Sequence, residues 1–509
     1  MNDNISKSKR IANNTILLYI RMVLLMVINL YTVRLTLRAL GAEDYGIYNV
    51  VAGFIALFNC VNTVLATATQ RFLNSVIGDD AGTRLKKIFS ASLNAYIVIS
   101  ILVLLIAESL GVWVLYNHLG IPQEKLSVSF WVFQCSLITF LLMMLQSPYV
   151  ASIISRENMR LYSILTTLDY ILKLICCVFL FCVDYDRLLF YSILMLFAHL
   201  CLFLAYVYYG SKYKECHYIK VLDCTLYKQL LSFSGWTLFA SVAGIGMNQV
   251  ITILINVFFG PIASAARAIS MQINSALASF CNSFIMAIRP QMVHSYAIRD
   301  FSFLNKIFSL SNKFIYYLLF MFCLPIVIEM PVILELWLGE VDYLTVIYSR
   351  FIVVYTIILA LNNPISIIVQ AIGRIKEYHL AVESVTLLCP LLVYFLFKLG
   401  FDSYYSYIAM IGCIIISHII RIICINILYK KFNLRDYLLD FCLSALGITV
   451  TTGGIIVFLH NILDIPDLSK LIILTVVSCS IVLSQAYLYG LNSNEREFCK
   501  ILITKILKK

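Results

Sequence analysis

Among the ionisable side chains that interrupt otherwise apolar stretches of this chain, eight are candidates for a functional role: Arg21, Asp169, Lys173, Arg267, Arg350, Glu383, His418 and Arg421. A charge at membrane depth costs about 3 kcal/mol or more on insertion scales, so each such group needs a partner or a task. Arg21 lies about ten residues into the first apolar segment, about 15 Å deep at the helical rise, where its side chain does not easily reach water. Arg267 shares a helical stripe with Ser264, Met271, Asn274 and Ala278, a partly polar face that suits a water-filled cleft better than lipid. A guanidinium fork binds phosphate oxygens in a bidentate way, so two deep arginines are suited to clamping a diphosphate.

The remaining charges invite other chemistry. Asp169 and Lys173 stand four residues apart with the acid first, the favourable order for an ion pair within one helix; Asp169 is also the only acid deep in the first half, which makes it a coupling candidate. Glu383 has no evident partner in its own helix and reads either as a protonatable coupling residue or as the partner of a neighbouring arginine. Arg350, His418 and Arg421 lie nearer segment ends, where side chains snorkel. Asn29, Asn248, Gln249, Gln272 and Asn274 are suited to hydrogen-bonding sugars in a cleft or to joining helix to helix.

The elements that must position these groups follow from composition. Of the 509 residues, 61% are AVILMFWYC and 13% are charged, and mean hydropathy is +0.90. That balance excludes a soluble domain. Runs long enough to cross about 30 Å of hydrocarbon recur throughout, predicting an all-α polytopic membrane protein of about 14 transmembrane helices. They lie near 11–33, 45–69, 88–110, 127–150, 161–183, 188–209, 229–258, 261–288, 309–328, 345–370, 378–398, 404–429, 438–459 and 468–489. The basic start MNDNISKSKR precedes an apolar run too long for a signal peptide and reads as a retained first helix.

Loops on the N-terminal side hold 26 Lys and Arg against about six opposite, which predicts cytoplasmic termini. The net charge of +11 therefore marks orientation, with little left for nucleic acid. The sixteen cysteines sit in or beside apolar helices; Cys216, His217 and Cys224 share a loop, but at no standard zinc spacing. No metal or cofactor is expected. Enzyme chemistry is disfavoured, since the outer loops are under about twenty residues and hold no phosphate-binding glycine loop or nucleophile elbow.

Self-similarity organises the chain. A shift of 219 lays Asn29 on Asn248, Leu35 on Leu254 and Gly41 on Gly260; a shift of 216 lays Leu145 on Leu361, Pro148 on Pro364, Tyr162 on Tyr378 and Leu172 on Leu388. Each proline follows two polar residues, Gln146–Ser147 or Asn362–Asn363, that can satisfy a carbonyl the proline frees, so both sites read as kinks or hinges. Six helices per copy predicts a parallel repeat: a first lobe over 1–210, a cytoplasmic linker over 211–228, a second lobe over 229–430, and two further helices with a tail over 431–509.

The stretch from Asn14, NTILLYIRMVLLMVINLYTVRLTLRALGAEDYGIYNVVAGFIALF, resembles the opening of bacterial Wzx-type oligosaccharide-lipid flippases. The turn LGAEDYGIYN, Leu40 to Asn49, is similar to that family's Leu-Gly, acidic, Tyr-Gly-hydrophobic-Tyr signature. On composition alone, Gly41 and Gly46 permit a tight turn and Tyr45 and Tyr48 suit a membrane interface. The resemblance extends over the chain in helix count and repeat, and at residue level over about the first 75 residues. It places the chain beside MATE drug exporters and the lipid II flippase, in which arginines on the same two helices matter; Arg21 and Arg267 match them by helix and depth. It implies transport of undecaprenyl-diphosphate-linked repeat units across a bacterial inner membrane for O-antigen, capsule or other surface polysaccharide, with polymerase and glycosyltransferases as partners. The alternative is a MATE-type cation-coupled exporter, which needs an anionic site in its cleft.

Overall fold

Backbone groups in hydrocarbon have no water to bond to, so a spanning segment must satisfy them internally, as a helix does. The computed structural model describes residues 2–74, 82–156, 158–182, 186–221, 223, 226–227, 235–492 and 495–496; within them, side chains are described from residue 24 onward, except at 235–241 and scattered positions. These residues are helical with no strand, and 12 stretches are long and apolar enough to cross a membrane. The chain is an all-α, multi-pass membrane protein.

Two compact units divide it, Met1–Ala268 and Ile269–Lys509. The first holds α1 (Asn2–Ala56), α2 (Asn59–Asn74), α3 (Gly82–Ile106), α4 (Leu126–Ser155), α5 (Met159–Phe179) and α6 (Arg187–Gly210). Helix α4 is central, packing on α1, α2, α3 and α6 around Ile47, Val51, Phe133, Leu137 and Phe140. Helix α7 (Gly235–Ala297) crosses the unit boundary in sequence. The second unit holds α8 (Phe301–Ile328), α9 (Met330–Leu338), α10 (Tyr343–Ile372), α11 (Ile375–Lys398), α12 (Tyr405–Leu428), α13 (Ser444–Ile462) and α14 (Asp467–Gln485). A π-helical stretch, Tyr437–Leu443, leads into α13.

Two of these helices are broken rods. Gly41 in α1 has φ 80° and ψ 169°, and Gly260 in α7 has φ 83° and ψ −177°. That region is essentially closed to residues with a Cβ. The spans Leu24–Ala56 and Val242–Asn282 each contain such a break and so hold two of the apolar segments read from sequence, which is why fourteen segments appear as 12 spans. The two glycines are the pair that the 219-residue shift superposes. Helices α3 and α8 start at the same offset, at Gly82 and Phe301.

The signature around Gly46 works differently from its sequence reading. Gly46 is helical and belongs to no turn; a Cβ there would lie 2.0 Å from the Pro261 carbonyl oxygen, so the glycine permits a close backbone approach. Tyr45 is buried, and Tyr48 packs edge-on to Tyr191 with centroids 4.8 Å apart. Both tyrosines face protein, not a membrane interface.

Candidate functional site

The break at Gly260 lets the two parts of α7 lie against one another, and Arg267, 0% exposed, reaches across to the preceding part. Its Nε donates to Thr252 Oγ1 at 2.9 Å, and Nη2 donates to the carbonyl and Oδ1 of Asn248 at 3.3 and 3.4 Å. Thr252 and Asn248 are one helical turn apart and so share a face. Asn248 Nδ2 donates to the Gly244 carbonyl at 3.1 Å, leaving its oxygen turned to the arginine. The structure thus joins two of the sequence candidates, a fully buried Arg267 and a half-buried Asn248, where the sequence stripe suggested that Arg267 faces a water-filled cleft. Arg21 falls in α1 with its side chain outside the described residues. Asn29 is half-buried, and Asn274 accepts from Thr356 Oγ1 at 2.7 Å.

Asp169 and Lys173 form their ion pair at 2.8 Å along α5. Glu383, 8% exposed, has two basic side chains as neighbours. One, His379, lies four residues earlier in the same helix with Nδ1 at 3.6 Å, so the carboxylate does have a partner in its own helix. The other is Arg421 Nη2 on α12, at 3.7 Å. Arg421 Nη1 also donates to Tyr378 Oη and, at 3.2 Å, to Ser366 Oγ.

His418, one turn before Arg421, bonds Asn362 Oδ1 through Nδ1 at 2.7 Å and Tyr437 Oη through Nε2 at 3.1 Å. His418 and Arg421 are therefore held inside the second unit and do not snorkel, because a carboxylate, an amide and phenols are within reach. Arg350 is exposed and donates to the carbonyls of Val327 and Ile328 at 3.0 and 3.2 Å, capping the end of α8.

Pro148 and Pro364 lie within helices of 30 residues. Pro364 frees the Ala360 carbonyl, and Asn363 Nδ2 donates to it at 3.2 Å. Around Pro148 the hydroxyl of Ser147 donates instead to Met143 O at 3.0 Å and to Asn62 Oδ1 at 2.7 Å. Sequence reasoning passed over Tyr378, Ser366 and His379. Only His379 left a signal, its four-residue spacing from Glu383.

No family model matches the sequence, and no curated protein matches it at significant similarity. Solved structures do. The lipid II flippase MurJ in an inward closed conformation aligns with TM-score 0.68 at 13% identity, covering 93% of this chain and 98% of that one. The fold is that of the lipid II flippase and the MATE transporters. An inward-facing multidrug-resistance MATE transporter of the MOP superfamily aligns with TM-score 0.63 at 13% identity, covering 80% and 96%. A MOP superfamily transporter from Pyrococcus furiosus, described as having a binding pocket of reversed polarity, gives 0.57 at 13%, covering 80% and 95%. The alignment with MurJ covers 93% of this chain, so the shared fold accounts for nearly all of it.

Proposed function

We propose that the chain is a flippase that moves undecaprenyl-diphosphate-linked oligosaccharide units across the bacterial inner membrane for surface polysaccharide synthesis. The observation that carries the reading is Arg267, a fully buried guanidinium whose partners include the Thr252 hydroxyl and the carbonyl and side-chain oxygen of Asn248, in a chain with the fold of MurJ and the MATE transporters. Two of its hydrogen bonds, at 3.3 and 3.4 Å, are longer than a charged donor makes at best, and they are readily exchanged for phosphate oxygens when the two parts of α7 separate. Arg21 is the second arm of the clamp, and Asn29, Asn248 and Asn274 are the amides that meet sugar hydroxyls.

Glu383 takes the coupling role, flanked by His379 and Arg421, and Asp169 remains the helix-internal partner of Lys173. Pro148 and Pro364 are the hinges of α4 and α10. The Lys-rich loops and both termini face the cytoplasm, where glycosyltransferases deliver substrate, and a polymerase receives it on the far side. The drug-exporter reading needs an available acid in the first unit, and Asp169 is taken up by Lys173.

Arg267→Glu tests the reading. Surface glycan export should cease while the protein still accumulates in the membrane, and Arg267→Lys should retain part of it because the charge survives without the fork. Full export from Arg267→Ala together with Arg21→Ala, or a change in drug resistance in its place, overturns it.

A further inference from the structure

A cavity of about 430 Å³ opens in the second unit between the first turns of α8, residues 432–441, and Asn492 with Glu495. Its aromatic wall is one connected set: Phe308 meets Phe432 and Tyr437 at centroid distances of 5.8 and 6.1 Å, and Tyr437 meets Phe441 at 5.3 Å. The π-helical stretch places Tyr437, Asp440 and Phe441 on this wall; such widened turns re-aim side chains and recur at functional sites.

The opposite side is polar. Glu495 accepts from Lys313 Nζ at 2.7 Å, Ser309 Oγ at 3.0 Å and the Asn492 backbone N–H at 2.9 Å, which fixes the floor and cancels the buried lysine's charge. Beside it stands Asn312, 0% exposed. Its Nδ2 donates to the Phe308 carbonyl at 2.8 Å, but its Oδ1 has no hydrogen-bond partner among the described residues. An unsatisfied buried acceptor costs about 1 to 3 kcal/mol, and a donor group standing in the cavity removes that cost.

Lys306 and Asp440 line the cavity and the lining Glu495 is paired with Lys313, so these charges sum to zero and favour neither a diphosphate nor a polyamine. An aromatic face beside a buried amide acceptor without a partner among the described residues, a carboxylate and an ammonium suits a neutral polyhydroxylated ring: C–H groups against the aromatics, hydroxyls donating to Asn312 and Asp440 and accepting from Lys306. We propose that this cavity is a binding site for a neutral sugar residue. It involves none of the residues assigned to the export pathway, and its chemistry stands without that reading.

The test uses the full chain in nanodiscs, free of glycosidic detergent, with Ser302→Cys at the exposed rim as reporter. Glucose, galactose, rhamnose and N-acetylglucosamine are offered singly at millimolar concentration, with inorganic diphosphate and spermine as charged controls. At least one sugar should slow maleimide labelling saturably, and Asn312→Leu and Phe432→Ala should each weaken that protection about tenfold, the loss of one hydrogen bond or one stacking face.

Size-exclusion profiles show which variants fold; where Asn312→Leu does not, Phe432→Ala and Asp440→Asn carry the test. The proposal is overturned if none of the sugars protects, if protection survives both wall substitutions, or if diphosphate protects equally well. Unchanged glycan export in the Ser302→Cys protein, with no sugar protecting it, removes the cavity as a sugar site and leaves the flippase reading intact; lost export in Arg267→Glu with protection retained overturns nothing about the cavity and counts only for the export pathway.

Discussion

At matched positions the first copy of the repeat carries Asn29 and Tyr48, and the second carries Asn248 and Arg267. Tyr48 packs on Tyr191 and borders a cavity of about 150 Å³, whereas Arg267 donates to Thr252 and Asn248. The later helices show the same contrast. Where α11 has Glu383, α5 has Thr167, whose hydroxyl bonds back to the Ser163 carbonyl of its own helix at 2.8 Å. Glu383 instead reaches Arg421 on the next helix. One backbone scheme, with glycine breaks at equivalent points, accommodates an aromatic, self-satisfied interior in one copy and a charged, cross-linked interior in the other. Burying charge therefore depends on which partners the neighbouring helix supplies rather than on the frame.

That contrast breaks most visibly at Arg421. Replacing it with alanine leaves the buried Glu383 with His379 as its one basic neighbour among the described residues, and losing one member of a buried pair costs about 3 to 5 kcal/mol. The thermal transition of the purified protein should fall steeply in Arg421→Ala and recover in good part when Glu383→Gln is added. The double variant should also lose stimulation of transport by a pH gradient. Equal destabilisation of single and double variants would mean that Arg421 is held by Tyr378 and Ser366 and owes little to the carboxylate.

Next in size is Gly46→Ala, which places in the first copy the residue the second copy has at the matched site, buried Ala265. Its Cβ would sit 2.0 Å from the Pro261 oxygen, a backbone atom with no rotamer to yield. Overpacking of this kind costs about 1 to 3 kcal/mol, and the upper end is expected by thermal unfolding. A neutral result would show that the two segments are not held at this approach.

The smallest effect distinguishes the prolines. Asn363→Ala leaves the Ala360 carbonyl without its donor at a cost of about 1 kcal/mol, whereas Ser147→Ala removes a bond to Met143 O, whose helix position keeps other means of satisfaction. A larger loss in Ser147→Ala would reverse the order and assign the weight to its bond with Asn62.

The helices were legible because each must be continuous and apolar to cross hydrocarbon, and the glycine pair was legible because the repeat shift superposes Gly41 on Gly260. Side-chain partners were not. Arg421 and Glu383 lie on different helices, and no periodicity relates them. Lipid-facing and core-facing positions are both apolar, so the inward packing of Tyr45 and Tyr48 left no compositional trace. The cavity wall at Asn312, Tyr437 and Glu495 comes from three distant segments, each unremarkable alone. Arg267 was picked out by depth, but the partners that seal it are visible only in three dimensions.

The paired left-handed glycines bear on how the molecule arose. A duplicated gene drifts fastest where any apolar side chain will serve, and in a membrane that is most of the chain, so likeness between the copies erodes almost everywhere. A backbone angle closed to every residue with a Cβ imposes a stereochemical demand that substitution cannot relax. Gly41 and Gly260 are thus the positions where any common ancestry of the two halves should persist longest, fixed reference points from which the register of more diverged copies can be recovered.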